Sequence, residues 1–306
     1  MASGSRRAII AALIANFGIA VAKFAAWMAT GAASMLAEAV HSVADTSNQA
    51  LLLLGNSRAQ RPESEEHPFG YGRERYFWSF VVAIVLFLLG GLFAIYEGAS
   101  KLGHPHELAS PAWAIGVLLA GIVLEGGSFR VAVRESNAIR GRRSWWEFVR
   151  HSKIPELPVV LLEDAGALIG LVLAMLGVGL TMLTGNPFWD ASASIAIGSL
   201  LCVISVVLAI EMKSLLIGES ASAADEREIE AAIASTQGVQ RVIHMRTLHI
   251  GPEQIFVGAK LELARGLDVS GVARVIDAAE DRVRKTLPSV SIMYLEPDLH
   301  DAARRD

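Results

Sequence analysis

The chain has 306 residues, of which 53% are hydrophobic and only 19% charged, and its mean hydropathy is +0.43. That is too apolar for a soluble domain of this size and points to a membrane protein. The net charge of −4 gives no reason to expect a nucleic-acid partner, and the single cysteine, Cys202, excludes an internal disulfide and a cysteine cluster for metal.

Six stretches are long enough to span about 30 Å of hydrocarbon: 8–29, 34–55, 76–102, 111–133, 157–183 and 188–217. The first follows MASGSRR with no small-residue cleavage site, so it reads as a transmembrane helix and not as a removed leader. No transit peptide is visible, which favours a bacterial inner membrane over a mitochondrion. The connections TGAA, GHPHELAS and TGNP contain no Lys or Arg, although Lys101 sits close to one of them. The alternate connections carry Arg58, Arg61, Arg73 and Arg75, then Arg134, Arg140, Arg142, Arg143, Arg150 and Lys153, and Arg6 and Arg7 stand near the start. Positive residues collect on the cytoplasmic side, so both termini are expected inside. Trp145, Trp146 and Phe148 among the second basic group predict an amphipathic segment lying on the bilayer surface.

After residue 217 the composition becomes that of a soluble domain. Helical spacing covers 225–235 and 269–287, and alternation covers 239–250, 254–263 and a short strand at 290–296. The predicted organisation is a six-helix transmembrane domain, 1–217, and a C-terminal cytoplasmic α+β domain of ferredoxin-like αββαβ order, 218–306. So short a domain has a limited core, so pairing with a second copy through it is expected.

The second span carries Glu38, His41, Asp45 and Asn48, stepping by three, four and three. On a helix they stack along one face. Ionisable groups are costly in hydrocarbon, so the stripe is a candidate functional site. Its plainer alternative is a set of hydrogen bonds gluing helices together. His41 and Asp45, one turn apart, suit a divalent metal. The fifth span contributes Glu163 and Asp164, whose directions diverge by about 100°. Glu38, Glu163 or Asn48 are candidates to complete the shell. An imidazole ordinarily changes charge near neutral pH, and metal displaces its proton, so one site holding metal or protons in turn is a basis for exchange. Asn16, Lys23, Glu97 and Glu125 are candidate cavity residues, and Asp190 reads as a helix N-terminal acid favoured by the dipole. His104 and His106 read as solvated loop residues.

The segments Ala37-Glu38-Ala39-Val40-His41-Ser42-Val43-Ala44-Asp45-Thr46-Ser47-Asn48-Gln49, His67-Pro68-Phe69-Gly70 and Val159 to Asp164, in six spans followed by an αββαβ tail, resemble the cation diffusion facilitator family. Within it they are similar to the branch of an animal mitochondrial zinc exporter and its bacterial relatives. The resemblance implies a homodimeric antiporter that exports Zn2+ from the cytosol in exchange for protons, with Mn2+, Fe2+, Co2+ and Cd2+ as other cargoes. It implies His41, Asp45 and Asp164 as ligands, with Val160 where a fourth would stand, so that Glu163 or Glu38 substitutes. A second family site in the loop would keep His67, but Tyr71 replaces its next histidine and its aspartate falls near Ser64, leaving Glu63, Glu65 and Glu66 as loose substitutes. In the tail His244 matches a metal position while Lys260 and Leu295 replace others, and His249, Asp298 and His300 are scattered, so the tail is expected to dimerise and not to sense metal. The competing readings are a regulatory partner that has lost transport and an intramembrane metalloenzyme.

Overall fold

The computed structural model describes residues 3–105 and 111–299, with side chains described for 17–105 and 112–299. His106 and His300, and the side chains of Arg6, Arg7 and Asn16, lie outside the described residues. The chain forms two compact units, one of Met1–Arg58 and Arg75–Lys213, the other of Ala59–Glu74 and Ser214–Asp306.

The first unit is a helical bundle. Its helices are α1 (Ser3–Thr30), α2 (Ala33–Ala59), α3 (Glu74–Val85), α4 (Phe93–Gly103), α5 (Pro111–Arg140), the short α6 (Trp145–His151), α7 (Glu156–Thr184) and α8 (Phe188–Ile217), with a π-helical segment, Leu86–Leu92, joining α3 to α4. Among the described residues, four helices are long and apolar enough to cross a membrane: Glu74–Gly103, Ala112–Arg140, Glu156–Thr184 and Phe188–Ile217. The stretch expected as the second span, 34–55, falls in α2, which is not in that set. Glu38, His41 and Asn48, which lower its hydropathy, are buried in protein at 0–1% exposure. A helix surrounded by other helices need not look like lipid. In α1 the described apolar stretch is Phe17–Thr30.

Glycines set the closest helix contacts. A methyl group on Gly198 of α8 would stand 2.6 Å from the Gly91 carbonyl oxygen and 2.7 Å from the Ile95 amide nitrogen. The π-helical turn therefore lies backbone to backbone against α8. Such turns are rare and concentrate at functional sites. The core between the helices is filled by Met35, Leu86, Leu118, Leu171, Ile197 and Leu201.

Asp190 stands in the first turn of α8, as expected, and has a further role. It is fully buried, and it accepts from the amides of Ala33 (2.7 Å) and Ser34 (3.3 Å), from the Ser34 hydroxyl and from Lys101 Nζ (2.9 Å). It therefore serves the N-terminus of α2, whose first amides have no partner inside their own helix, as well as opening α8. Lys101 also donates to the Gly31 carbonyl at 2.8 Å, at the α1–α2 turn.

The second unit has α9 (Ala223–Ala234), β1 (Val239–Gly251), β2 (Gln254–Leu263), α10 (Val269–Thr286) and β3 (Val290–Pro297), the expected αββαβ order. The sheet order is β1-β2-β3. β1 and β2 are antiparallel with Thr247 opposite Val257, and β2 and β3 are parallel. Alternation along β2 sends Ile255, Val257, Ala259 and Leu261 inward, where they meet Ile229 and Ile233 of α9 and Val283 of α10. Asp268 caps α10 through the Gly271 amide at 2.7 Å, a bond that holds its carboxyl below the usual carboxylate range. The loop Ala59–Glu74 packs on the same unit. Phe69 meets Phe256 edge-on at 6.1 Å, and a methyl on Gly72 would come within 2.7 Å of the Ile250 carbonyl. His67 stacks on Tyr71 at 4.5 Å.

Candidate metal centre

The α-helical spacing of α2 places Glu38, His41, Asp45 and Asn48 inside the bundle, and each finds a different neighbour. Glu38 Oε2 accepts from Lys23 Nζ of α1 at 3.0 Å, and the same ammonium donates to Ser42 Oγ at 2.7 Å. Lys23 and Glu38 are both at 0% exposure. His41 Nε2 lies 3.4 Å from Asp45 Oδ2, while its Nδ1 is 3.6 Å from where a Gly90 methyl would be, beside the π-helical turn. Asn48 Nδ2 donates to Glu163 Oε1 of α7 at 2.7 Å. Asp164 Oδ2 accepts from Ser128 Oγ of α5 at 2.8 Å.

Asp45 and Asp164 line one small cavity together with Glu125, Ser128, Ser42 and Gln49. Its volume is about 10 Å³, roughly the room of a single water-sized probe. Glu38 Oε1, both His41 nitrogens, Asp45 Oδ1 and Asn48 Oδ1 are buried without a hydrogen-bond partner. Unpaired buried polar atoms are costly, and a group of them marks a place where a cation or protons are stabilised.

The predicted residues are thus brought to one region but not to one point. Among the described residues, no three His, Cys, Asp or Glu side chains form a group that could hold a metal ion. Protein donors hold most of the acids instead. Glu38 is committed to Lys23, and Glu163 and Asn48 to each other. These pairings count against Glu38, Glu163 and Asn48 as direct ligands. His41, Asp45 and Asp164 remain the strongest candidates, with Glu125 beside them. Ser128 carried no sequence signal, and Lys23 carried one only as a lysine in an apolar run.

A larger cleft of about 670 Å³ opens from Gln49, which also lines the small cavity, toward the ends of α2, α5 and α7. Val160 is part of its wall, and so are Glu135 and Asn56. Arg75 grips Glu156 there through two bonds, Nε–Oε1 at 2.5 Å and Nη2–Oε2 at 2.8 Å. One glycine shapes the inner end of the site. A methyl on Gly170 of α7 would clash with Glu38 Oε1. Gly170→Ala is expected to displace the Lys23–Glu38 pair and cost about 1–3 kcal/mol as an overpacking change. A thermal melt of the detergent-solubilised protein checks it.

Long apolar helices enclosing buried acids define an integral membrane protein with an ionisable centre. Residues 9–217 match the model of the cation efflux transmembrane domain, and residues 221–297 that of the cation efflux protein cytoplasmic domain. The chain belongs to the cation efflux family. It is 35% identical over 262 residues to the Xenopus laevis protein named proton-coupled zinc antiporter SLC30A9, mitochondrial, covering 85% of this chain and 47% of that protein. The human protein of the same name is 32% identical over 261 residues, with 85% and 46% covered. The chain therefore spans about half the length of these curated relatives. A probable cation efflux system protein of Mycobacterium tuberculosis is 25% identical, with 90% and 79% covered. Among solved structures, a nickel form of a MamM C-terminal-domain variant matches at a TM-score of 0.25 and 18% identity, covering 26% of this chain and 100% of that one.

Proposed function

We propose that this chain is a proton-coupled antiporter that exports a divalent metal, Zn2+ first, from the cytosol by alternating access. The observation that carries the reading is the cavity bounded by Asp45 of α2, Asp164 of α7 and Glu125 of α5, with His41 next to Asp45. In this reading α1 and α2 complete a six-span bundle with both termini in the cytoplasm of a bacterial cell. The tail, from residue 218, pairs two copies.

The chemistry follows from the partners. In the state described, Ser128 holds Asp164. Cargo entering by the cleft at Gln49 draws Asp164 from that hydroxyl and binds Asp45 and His41 on the other side. Metal binding to these groups expels protons, and protons arriving from the opposite side displace the metal. Lys23 keeps Glu38 out of this exchange by holding it as a fixed pair. The ligand set is short for Zn2+, which prefers four, and a weakly held cargo is one that can be released.

The test uses the purified full chain in lipid vesicles with a metal-sensitive dye and an imposed pH gradient. Zn2+ uptake should follow the proton gradient and reverse with its sign, and competition with Mn2+, Fe2+, Co2+ and Cd2+ ranks the cargoes. Flux indifferent to the gradient removes the antiport assignment. Val160 favours a second reading, a partner subunit without transport of its own, because it presents a hydrocarbon wall to the cleft. Metal uptake by vesicles holding this chain alone excludes that reading.

A further inference from the structure

We propose that the apolar cleft beneath α6 binds one acyl chain of an anionic phospholipid, whose phosphate is held by Arg140 and Arg150. The cleft has a volume of about 600 Å³ and lies between α5, α6 and α7. Phe129, Trp145, Trp146, Val149, Leu161 and Ala165 are among its walls, and every lining residue is apolar. Water has no polar partner in such a space, and an apolar cavity stays dry or takes a hydrocarbon. α6 is fixed above it. Ser144 and Glu147 form a reciprocal capping box at its start, and Phe148, fully buried, packs with Ala132 and Leu161.

The rim has the opposite chemistry. Each of the two lining tryptophans carries a guanidinium: Arg140 stands 4.4 Å over Trp145, and Arg150 stands 5.8 Å over Trp146. Arg142 is exposed near by. Arg140 spends two N–H groups on Asn137 and one on the Arg143 carbonyl, which leaves two of a guanidinium's five. The acids at this rim are Glu211, which takes Arg150 at 2.6 Å, and Glu147, engaged in the cap. An apolar slot closed by tryptophan and crowned with arginine, at the end of two membrane-crossing helices, is the chemistry of a lipid with a negative headgroup.

The slot also touches the working part of the bundle. Leu161, Leu162 and Ala165 bracket Glu163 and Asp164 on α7, and Phe129 follows Ser128 on α5. A chain lodged there wedges the two helices behind the Ser128–Asp164 bond. Occupancy therefore sets the spacing across which that bond must break.

The experiment reads binding independently of transport. The full chain in a neutral detergent is titrated with phosphatidylglycerol carrying brominated acyl chains, and quenching of tryptophan fluorescence is followed. Brominated phosphatidylcholine and inorganic phosphate are the comparison probes. Saturable quenching with a preference for phosphatidylglycerol is expected, and inorganic phosphate should not displace it. Arg140→Gln should weaken phosphatidylglycerol about fivefold without changing phosphatidylcholine, the share of one cation near a charged headgroup. Ala165→Phe, which fills the slot, should abolish the saturable phase for both lipids. Thermal melts of both variants are run beside the titrations, and a variant that melts early is replaced by Arg150→Gln or Val149→Phe. Quenching equal for the two lipids and untouched by the filled slot overturns the proposal. So does displacement by inorganic phosphate alone, or quenching lost when two copies associate. Failure of zinc transport leaves this binding result standing, so the two readings fail separately.

Discussion

Asp164→Ala is expected to reduce proton-driven Zn2+ flux in vesicles at least about a hundredfold, the scale seen when a metal ligand's environment is dismantled. Asp45→Ala should do the same. The reason is positional. Asp164 and Asp45 are the acids that face each other from α7 and α2 across a cavity of about 10 Å³, and His41 reaches that space only beside Asp45, at 3.4 Å. Removing either acid leaves the imidazole with the other one and Glu125, one carboxylate short. Asp164→Asn keeps the shape and still accepts from Ser128, so its loss of flux would assign the effect to charge. Ser128→Ala should be milder, altering the concentration dependence and not the maximal rate, because the hydroxyl holds Asp164 only in the state described. Parent-level flux in both Asp45→Ala and Asp164→Ala would remove the site assignment altogether.

The second large effect falls on stability. Lys23→Met should destabilise the bundle by about 3–5 kcal/mol, the usual result of stripping one partner from a buried ion pair. Both side chains are at 0% exposure, and the ammonium makes two short bonds, to Glu38 at 3.0 Å and Ser42 at 2.7 Å. Glu38 is at 0% exposure, with its other oxygen next to the bare face of Gly170. The double change Lys23→Met with Glu38→Gln removes the charge from both sides and should recover most of the loss, since a neutral buried pair is tolerated where a lone buried charge is not. Thermal unfolding in detergent reads both. If the double variant is as unstable as Lys23→Met, the charge argument is wrong and the lysine acts through packing alone.

What the sequence made legible was local. The three- and four-residue steps from Glu38 to Asn48 place four side chains on one face, because helix geometry fixes that relation. The tail's αββαβ order was readable for the same reason, from periods of two and of 3.6. Relations between helices were not readable. Lys23 and Glu38 were each conspicuous, but their pairing depends on the register of α1 against α2. Asp190 looked like an ordinary first-turn acid of α8, and its bond to Ala33 spans 157 positions. The polarity of α2 was visible, but its burial was not, because hydropathy reports what a helix contains and not what surrounds it. Within the π-helical turn at Leu86–Leu92, Gly91 lies against Cys202 of α8 and Gly90 beside Leu201, contacts no single stretch encodes.

Cutting the polypeptide once does not separate its two bodies. The backbone crosses between them at 58/59, again at 74/75 and finally at 213/214, so the second unit is joined to α2, α3 and α8. A tug on the sheet therefore reaches the rod bearing His41 and Asp45 through the loop 59–74 that packs on the sheet. A fragment starting at Ser214 would also lose the cover over Phe256 supplied by Phe69, and it should be stickier than the same surface in the intact protein.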